Sequence, residues 1–112
     1  MRYTAMPKTT FNVQTLGLAL RAGKLIHGEE AVLEGFRKYP QYYVFMASDA
    51  GANIQKKIHQ KAFHYNTPIN QTFDRQTLSK ALGKERTVCA LIDEGFIKTI
   101  GWGSTERGDW YE

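Results

Sequence analysis

Three lysines share one face of a predicted helix between Gly51 and Tyr65 with amide and imidazole side chains. Residues spaced by three and four positions lie on one side of an α-helix, so these groups would form a continuous surface. Such side chains donate hydrogen bonds to phosphate oxygens, which is the chemistry of nucleic-acid binding. The residues of this basic helix face are Asn53, Lys56, Lys57, Gln60, Lys61 and His64. An ordinary solvated helix has the same composition, so the pattern alone leaves both interpretations open.

A second pair of cations, Lys84 and Arg86, lies in the loop after a predicted helix that ends at Gly83. Donors in a loop can bind an anionic ligand. Cations close to a helix C-terminus are also favoured by the helix dipole, whatever the function. This loop therefore permits a binding role and a structural one.

The sequence contains no catalytic or cofactor-binding motif that we recognise. It has no G-x-G-x-x-G fingerprint, no Walker phosphate loop and no H-E-x-x-H zinc motif. Ser48–Gly51 lies between a predicted strand and a predicted helix, where phosphate-binding turns occur, but most strand-to-helix turns look alike. No grouping of serine, histidine and aspartate stands out. We therefore expect a protein that is not an enzyme and has no cofactor.

The histidines and the cysteine favour structural roles. His59 and His64 point in different directions on their predicted helix, so they cannot hold one metal ion together. His27 is interpreted as a strand residue. Cys89 lies within an apolar strand, where a buried and unreactive thiol is expected. The sequence therefore predicts no metal site.

Composition is typical of one globular domain. The chain has 112 residues, of which 42% are hydrophobic, enough for one packed core. Fifteen Lys and Arg against eleven Asp and Glu give a formal net charge of +4, which only modestly favours an anionic partner. The single cysteine excludes an internal disulfide and indicates a reduced, cytoplasmic protein. We recognise no membrane-spanning run and no signal peptide.

The elements that must position these residues alternate between helix and strand. Tyr42–Ala47 and Thr87–Ile92 are apolar runs typical of buried central strands, and two shorter candidates are Leu25–His27 and Ile69–Phe73. Helices are predicted for Thr10–Arg21, Gly28–Lys38, Gly51–Tyr65, Arg75–Leu82 and Asp93–Ile100. The expected core strand residues include Tyr43, Phe45, Val88, Ala90 and Ile92. This order predicts an α/β domain over residues 10–100, with helices on both faces of a parallel or mixed sheet, between tails at 1–9 and 101–112.

Three stretches of the chain together resemble a known family. They are LGLALRAGKLIHGEEAVLEGFRK, YVFMASDAGANIQKKI and TLSKALGKERTVCALIDEGFIK, which run in this order from about Leu16 to Lys98. Their most specific pieces are RAGKLIHGEE, ASDAGANIQKKI, LSKALGKER and the DEGF after the last strand. Each piece alone is weak, but in register they resemble the YlxQ-type bacterial branch of the ribosomal L7Ae protein family.

The resemblance implies a three-layer α-β-α sandwich around a four-stranded mixed sheet that binds structured RNA. In many members this RNA is a sharply bent internal loop called a kink-turn. A helix N-terminus then meets its sheared G·A pairs, and the loop before the last strand covers a flipped-out nucleotide. The implied RNA-binding residues are Gly28, Glu29, Glu30, Ala31 and Glu34 on the helix, Lys84, Arg86, Thr87 and Val88 in the loop, and Lys24 and Lys57 beside them.

The residue types suit this role, with departures. Gly28 would let an RNA backbone approach closely, the helix N-terminus offers free N–H donors, and carboxylates accept from guanine. The chain has Glu30–Ala31 where archaeal kink-turn binders carry Asn-Glu, and Glu34 where they usually carry Lys. Glu29, Glu30 and Glu34 make this rim acidic, and an acidic rim repels phosphates at short range.

The expected partner is therefore structured RNA, ribosomal or another kink-turn RNA, and not a membrane. We expect a monomeric, cytoplasmic protein associated with ribosomes or translation. The alternative is a protein–protein interaction module on the same fold. Salt separates the two functions, because phosphate contacts weaken steeply as salt rises and an interface with few ion pairs does not.

Overall fold

A four-stranded mixed sheet forms the centre of the computed structural model, which describes residues 12–100. Its strands are β1 (Leu25–His27), β2 (Tyr43–Met46), β3 (Ile69–Asn70) and β4 (Val88–Leu91). The strands lie in the order β1-β4-β2-β3. β4 is antiparallel to both β1 and β2, and β2 is parallel to β3. The predicted mixed sheet is confirmed.

Helices cover both faces of this sheet. Within residues 12–100 they are α1 (Gln14–Arg21), α2 (Glu29–Lys38), α3 (Ala52–Tyr65), α4 (Arg75–Leu82) and α5 (Glu94–Lys98). α1 packs against α4, and α2 packs against α3. Every residue of β2 and β4 is buried, as a sheet covered on both faces requires. The predicted α-β-α sandwich is therefore confirmed.

Side-chain caps define where the last two helices begin. α4 begins after Asp74, whose Oδ1 accepts a hydrogen bond from the Thr77 amide at 2.8 Å. α5 begins after Asp93, whose Oδ2 accepts from the Phe96 amide at 3.2 Å. These bonds satisfy amides that the first helical turn leaves unpaired. Aspartate at these positions is the reason that both starts were predictable from sequence.

Three strands are shorter than predicted. β2 spans Tyr43–Met46 within the predicted Tyr42–Ala47. β3 stops at Asn70 rather than Phe73, because the Asn70 Oδ1 accepts from the Thr72 amide at 2.9 Å and forms a local turn. Ile92 lies beyond the end of β4 and is only half-buried, so its expected place in the core is wrong. The predicted Thr10 helix start and the tails 1–9 and 101–112 lie outside the described residues.

A glycine brings α2 close to the sheet. A Cβ at Gly35 would overlap the Tyr42 hydroxyl group and the end of Ile26. The same hydroxyl donates to the Val32 carbonyl at 2.6 Å, and it is buried. α2 therefore lies directly over β1, which determines where the N-terminus of this helix meets the surface.

Leu91 offers a test of the core, because it is fully buried and paired with both neighbouring strands, opposite Leu25 and Tyr43. We expect Leu91→Ala to lower the free energy of unfolding by about 2–5 kcal/mol, through lost burial and a cavity. Denaturant unfolding measures the change. The control Leu18→Ala, at a position that is 53% exposed, should change it by about 0.5 kcal/mol or less. Equal stabilities would contradict this description of β4.

The thiol of Cys89 provides a second test. The side chain is fully buried, and burial raises its pKa to about 12. Since the thiolate is the reactive form, native protein should not react with a thiol reagent at neutral pH, whereas protein unfolded in denaturant should react at once. Absorbance of the released chromophore follows the reaction. Rapid labelling of native protein would show that β4 is accessible.

Candidate nucleic-acid interface

The chain passes from β1 into α2 through Gly28, whose φ of 97° and ψ of 148° are rarely adopted by residues with side chains. Its amide donates to the Val88 carbonyl at 3.0 Å, and its carbonyl accepts from the Val32 amide at 3.0 Å. Among the described residues, a Cβ at this position would contact only the Arg86 Nε, at 3.9 Å. Backbone conformation, rather than crowding, therefore requires glycine, and the surface above it is open.

The N-terminus of α2 presents unpaired amides beside this open surface. An α-helix leaves its first N–H groups without intrahelical acceptors, and Gly28 has no side chain to cap them. Within residues 12–100, no group accepts from the amides of Glu29, Glu30 and Ala31. All three residues are exposed. The helix dipole adds partial positive charge at this end, so the turn can donate to acceptors on a ligand.

The loop before β4 is held in place through its backbone. The Arg86 amide donates to the Ser79 Oγ at 2.9 Å, and the same hydroxyl donates to the Arg86 carbonyl at 3.2 Å. The next carbonyl, that of Thr87, accepts from the Ala47 amide at 2.8 Å. These bonds tie the loop to α4 and to the end of β2, so its side chains are presented from a fixed backbone.

The Arg86 side chain joins this loop to β1. Its Nε donates to the His27 Nδ1 at 2.6 Å, although the residues are 59 positions apart. Because Nδ1 accepts, the neutral ring carries its proton on Nε2. Burial, followed by the charges of Arg86 and Lys84, lowers the pKa of His27 below its ordinary value of 6.5. His27 is a strand residue, as predicted, and it also holds the guanidinium group beside Gly28.

Two carboxylates of the acidic rim have cationic partners. The Glu29 Oε2 lies 3.3 Å from the Lys57 Nζ, and the Glu34 Oε1 lies 2.8 Å from the Arg37 guanidinium group. Exposed ion pairs of this kind contribute little to stability, but they reduce the local negative charge. Glu30 has no cationic partner in the described part of the chain. The repulsion expected from three glutamates is therefore weakened, and Glu30 remains available as an acceptor.

The structure brings most of the predicted residues together. The α2 N-terminus adjoins the loop before β4 through Gly28 and Arg86, Lys57 reaches it through Glu29, and the charge of Lys84 acts on His27. Val88 contributes its carbonyl, since its side chain is buried. We call this cluster the α2–β4 surface, and its members are Gly28, Glu29, Glu30, Ala31, Lys57, Lys84, Arg86, Thr87 and Val88.

Of the two remaining predicted residues, Lys24 lies away from the α2–β4 surface and Glu34 borders it. Lys24 is at the opposite end of β1, where its Nζ lies 3.7 Å from the Asp93 carboxylate. Gly28 follows it by four positions of extended chain, which is a distance of roughly 13 Å. Glu34 follows Glu30 by one helical turn and lines the same groove as Glu30, Ala31 and Ile26, so it borders the surface. The predicted elements already imply both spacings, because Lys24 and Gly28 flank the predicted strand Leu25–His27 and Glu34 follows Glu30 by four positions on a predicted helix.

The turn between β2 and α3 has a structural function. The Ser48 amide donates to the Phe73 carbonyl at 2.9 Å, and the Asp49 carboxylate accepts from the Arg75 amide at 2.9 Å. An acceptor carboxylate at this place disfavours a phosphate.

In the part of the chain that the structure describes, no three metal-ligating side chains cluster, and no helix has the length and apolarity to cross a membrane.

Comparison with known families identifies the class of protein. The family model described as "Ribosomal protein L7Ae/L30e/S12e/Gadd45 family" matches residues 13–100. The chain therefore belongs to this family. The resemblance that the sequence motifs carried is confirmed.

Two named relatives are similar to most of this chain. The RNA-binding protein YlxQ of Enterococcus faecium is 40% identical over 83 residues, covering 74% of this chain and 81% of that protein. Its namesake in Bacillus subtilis (strain 168) is 38% identical over 86 residues, covering 76% of this chain and 86% of that protein.

Two solved structures share the fold. A protein of unknown function from Bacillus halodurans superimposes with a TM-score of 0.73 at 37% identity, covering 80% of this chain and 91% of that one. The Giardia lamblia 15.5kD RNA binding protein gives a TM-score of 0.65 at 13% identity, covering 80% and 78%. The second likeness establishes the fold alone.

The Arg86–His27 contact can be tested by titration. We expect Arg86→Gln to raise the pKa of His27, because a positive charge beside the ring is removed. NMR titration of the imidazole measures this pKa in both proteins. Lys98→Gln, which removes the same charge from α5, is the control and should leave it unchanged.

The same contact predicts a dependence of stability on pH. Since folding lowers the pKa of His27, the stability from its neutral form is present above pH 6.5 and is lost as the pH falls through the folded value. This acid-dependent loss should be smaller in Arg86→Gln. An unchanged His27 pKa in that variant would argue against the contact.

Proposed function

We propose that this protein recognises structured RNA through the α2–β4 surface, with kink-turn RNA as the candidate ligand and ribosomal RNA as its candidate source. The two segments that the family resemblance singled out lie far apart in sequence. In the fold they adjoin, and the hydrogen bond from the Gly28 amide to the Val88 carbonyl is the observation that carries the proposal. A joined helix N-terminus and cationic loop suit an RNA whose backbone bends sharply.

Each part of the surface has a chemical role in this proposal. The open backbone at Gly28 lets RNA approach, and the free amides of Glu29 and Ala31 donate to acceptors on base edges or phosphates. The unpaired carboxylate of Glu30 accepts from the amino and imino groups of guanine. Recognition of this kind reads unstacked bases and shape, which a small surface can do.

Cations around the surface offset its carboxylates. Lys84 and Arg86 lie on the loop side, and Lys57 lies on the α3 side, where it neutralises Glu29. Phosphates approaching from the loop would therefore meet positive charge, whereas base edges would meet Glu30. This division favours RNA with exposed guanine edges over a regular duplex.

Substitution at Gly28 tests the site. Gly28→Trp should weaken binding to a kink-turn RNA by about ten-fold or more, because the added side chain blocks close approach of the RNA to this backbone. Losing even one hydrogen bond to a charged group costs about 1.5–3 kcal/mol. Gly23→Trp is the matched control, since Gly23 also has a positive φ, 74°, and open space around it, but lies at the other end of β1. An unbent duplex of equal length is the control RNA, and fluorescence anisotropy gives each Kd.

Two outcomes would contradict the assignment. One is equal affinity of the parent and Gly28→Trp for both RNAs. The other is equal loss in the two tryptophan variants, which would indicate general destabilisation. Thermal melting of each variant identifies that case.

Glu30 and Glu34 form a second matched pair, one helical turn apart on α2. Glu30→Ala should reduce affinity for the kink-turn RNA by a factor that does not change with salt, because it removes an acceptor for a base edge. Glu34→Ala should have a smaller effect, because its carboxylate is paired with Arg37, whereas Glu30 has no cationic partner among the described residues. Titrations at several salt concentrations separate the two effects. A stronger effect at Glu34 would place the RNA further along α2.

Association with ribosomes or translation is the cellular form of this proposal. The family description names ribosomal proteins, and the YlxQ relatives are named as RNA-binding proteins. Crosslinking the protein in cells and sequencing the retained RNA would identify the partner. Retention of protein partners without RNA, with affinity insensitive to salt, would favour an interaction module instead. Sedimentation of the purified protein and fractionation of cells check the expected monomer and cytoplasmic location.

A further inference from the structure

A groove between α2 and α3 is lined by part of the basic helix face of α3. Lys57, Lys61 and Tyr65 lie one helical turn apart along α3 and face α2 across the groove. Lys56 and Phe63 are exposed elsewhere on the same helix. The full lining is Leu33, Lys57, Gln60, Lys61, His64 and Tyr65, around a volume of about 350 Å³.

The floor of the groove is a fixed aromatic ring. Tyr65 stacks on Phe36, with centroids 6.0 Å apart and an interplanar angle of 23°, and the His64 ring packs edge-on against it at 4.8 Å. Even so, Tyr65 remains 39% exposed. An aromatic ring held on one side and accessible on another can stack a nucleobase with little loss of side-chain entropy.

The rim of the groove suits an anion. α3 contains three lysines and two histidines and no aspartate or glutamate. Lys61 has no carboxylate partner among the described residues, whereas Lys57 shares Glu29 with the α2–β4 surface. Charge complementarity therefore favours a polyanion, and Lys57 makes the groove continuous with the proposed RNA site.

We infer that the α2–α3 groove binds an unpaired stretch of the RNA held at the α2–β4 surface, with phosphates on Lys57 and Lys61 and a base against Tyr65. This inference rests on the proposed function for its partner. The volume is at the lower end of the range for ligand pockets, so the groove takes about one nucleotide rather than a folded partner. It extends the site along α3 past Ile58, where the family motif on this helix ends.

Binding measurements with and without an unpaired extension test this inference. The parent protein is titrated with a blunt kink-turn RNA and with the same RNA carrying six unpaired adenosines at the 3′ end or the 5′ end. One extension should tighten binding by about five-fold or more through base stacking. It should also steepen the salt dependence by about 1.4, for two single-strand phosphate contacts.

Matched variants on α3 locate the contact. Lys61→Gln and Tyr65→Leu should each remove most of the gain from the extension and leave binding of the blunt RNA unchanged. Lys56→Gln makes the same change outside the groove, Phe63→Leu likewise replaces an aromatic ring with leucine there, and both variants should keep the gain. Circular dichroism checks that each variant is folded. The spectra of Lys56→Gln and Phe63→Leu, which are changed at exposed positions, are the reference.

The outcomes separate this inference from the function beneath it. If the extension adds no affinity, or if the groove variants and their controls lose it equally, the groove assignment is wrong while the α2–β4 surface stands. If the blunt RNA does not bind, the proposed function fails. Hexa-adenosine alone then tests the groove, where Lys61→Gln must weaken binding more than Lys56→Gln does. Equal weakening overturns the inference.

Discussion

The antiparallel pairing of β1 with β4 is the constraint on which the surface depends. It continues past the strand ends, from the Gly28 amide to the Val88 carbonyl at one end and from the Ile92 amide to the Lys24 carbonyl at the other. The first bond fixes the entry into α2, because the Gly28 backbone turns there with a positive φ. The same pairing places His27 beside the loop that carries Arg86. Burial of β4 on both faces makes this geometry rigid.

Charge around the surface is arranged by pairs that cross between elements. Glu29 of α2 meets Lys57 of α3, whereas Glu34 meets Arg37 within its own helix. Glu30 has no cationic partner among the described residues and is left as an acceptor. From the sequence alone, the three glutamates of the acidic rim would repel RNA. In the structure the charge of this rim is mixed, with cations towards the loop and towards α3. The effect is local, because exposed pairs are screened by salt within about a Debye length.

α3 links the sheet to a second region of positive charge. Its buried side, with Ile58 and Ala62, packs on the core, and its flank towards α2 bears Lys57, Lys61 and Tyr65. The family motifs reach Ile58 on this helix and include Lys57, but they stop before Lys61 and Tyr65, so they do not predict the groove. The groove is formed by two helices together, since Leu33 and the ring of Phe36 that supports Tyr65 belong to α2. RNA recognition along this flank would be a property of the packing of two helices.

The local sequence pattern was sufficient to predict the helices and strands, because each of them depends on residues that are neighbours in the chain. The apolar run at Tyr42–Ala47, the Asp74 cap and the Gly83 helix end predicted a strand, a helix start and a helix stop that the structure contains. The motif around Gly28 similarly indicated the RNA-binding family. Tertiary structure alone decided the strand order, the 2.6 Å contact between Arg86 and His27, and the pairing of Glu29 with Lys57 and of Lys24 with Asp93. These strand pairings and side-chain contacts involve residues far apart in the chain. Their distances depend on how the helices pack on the sheet, which no short stretch of sequence specifies.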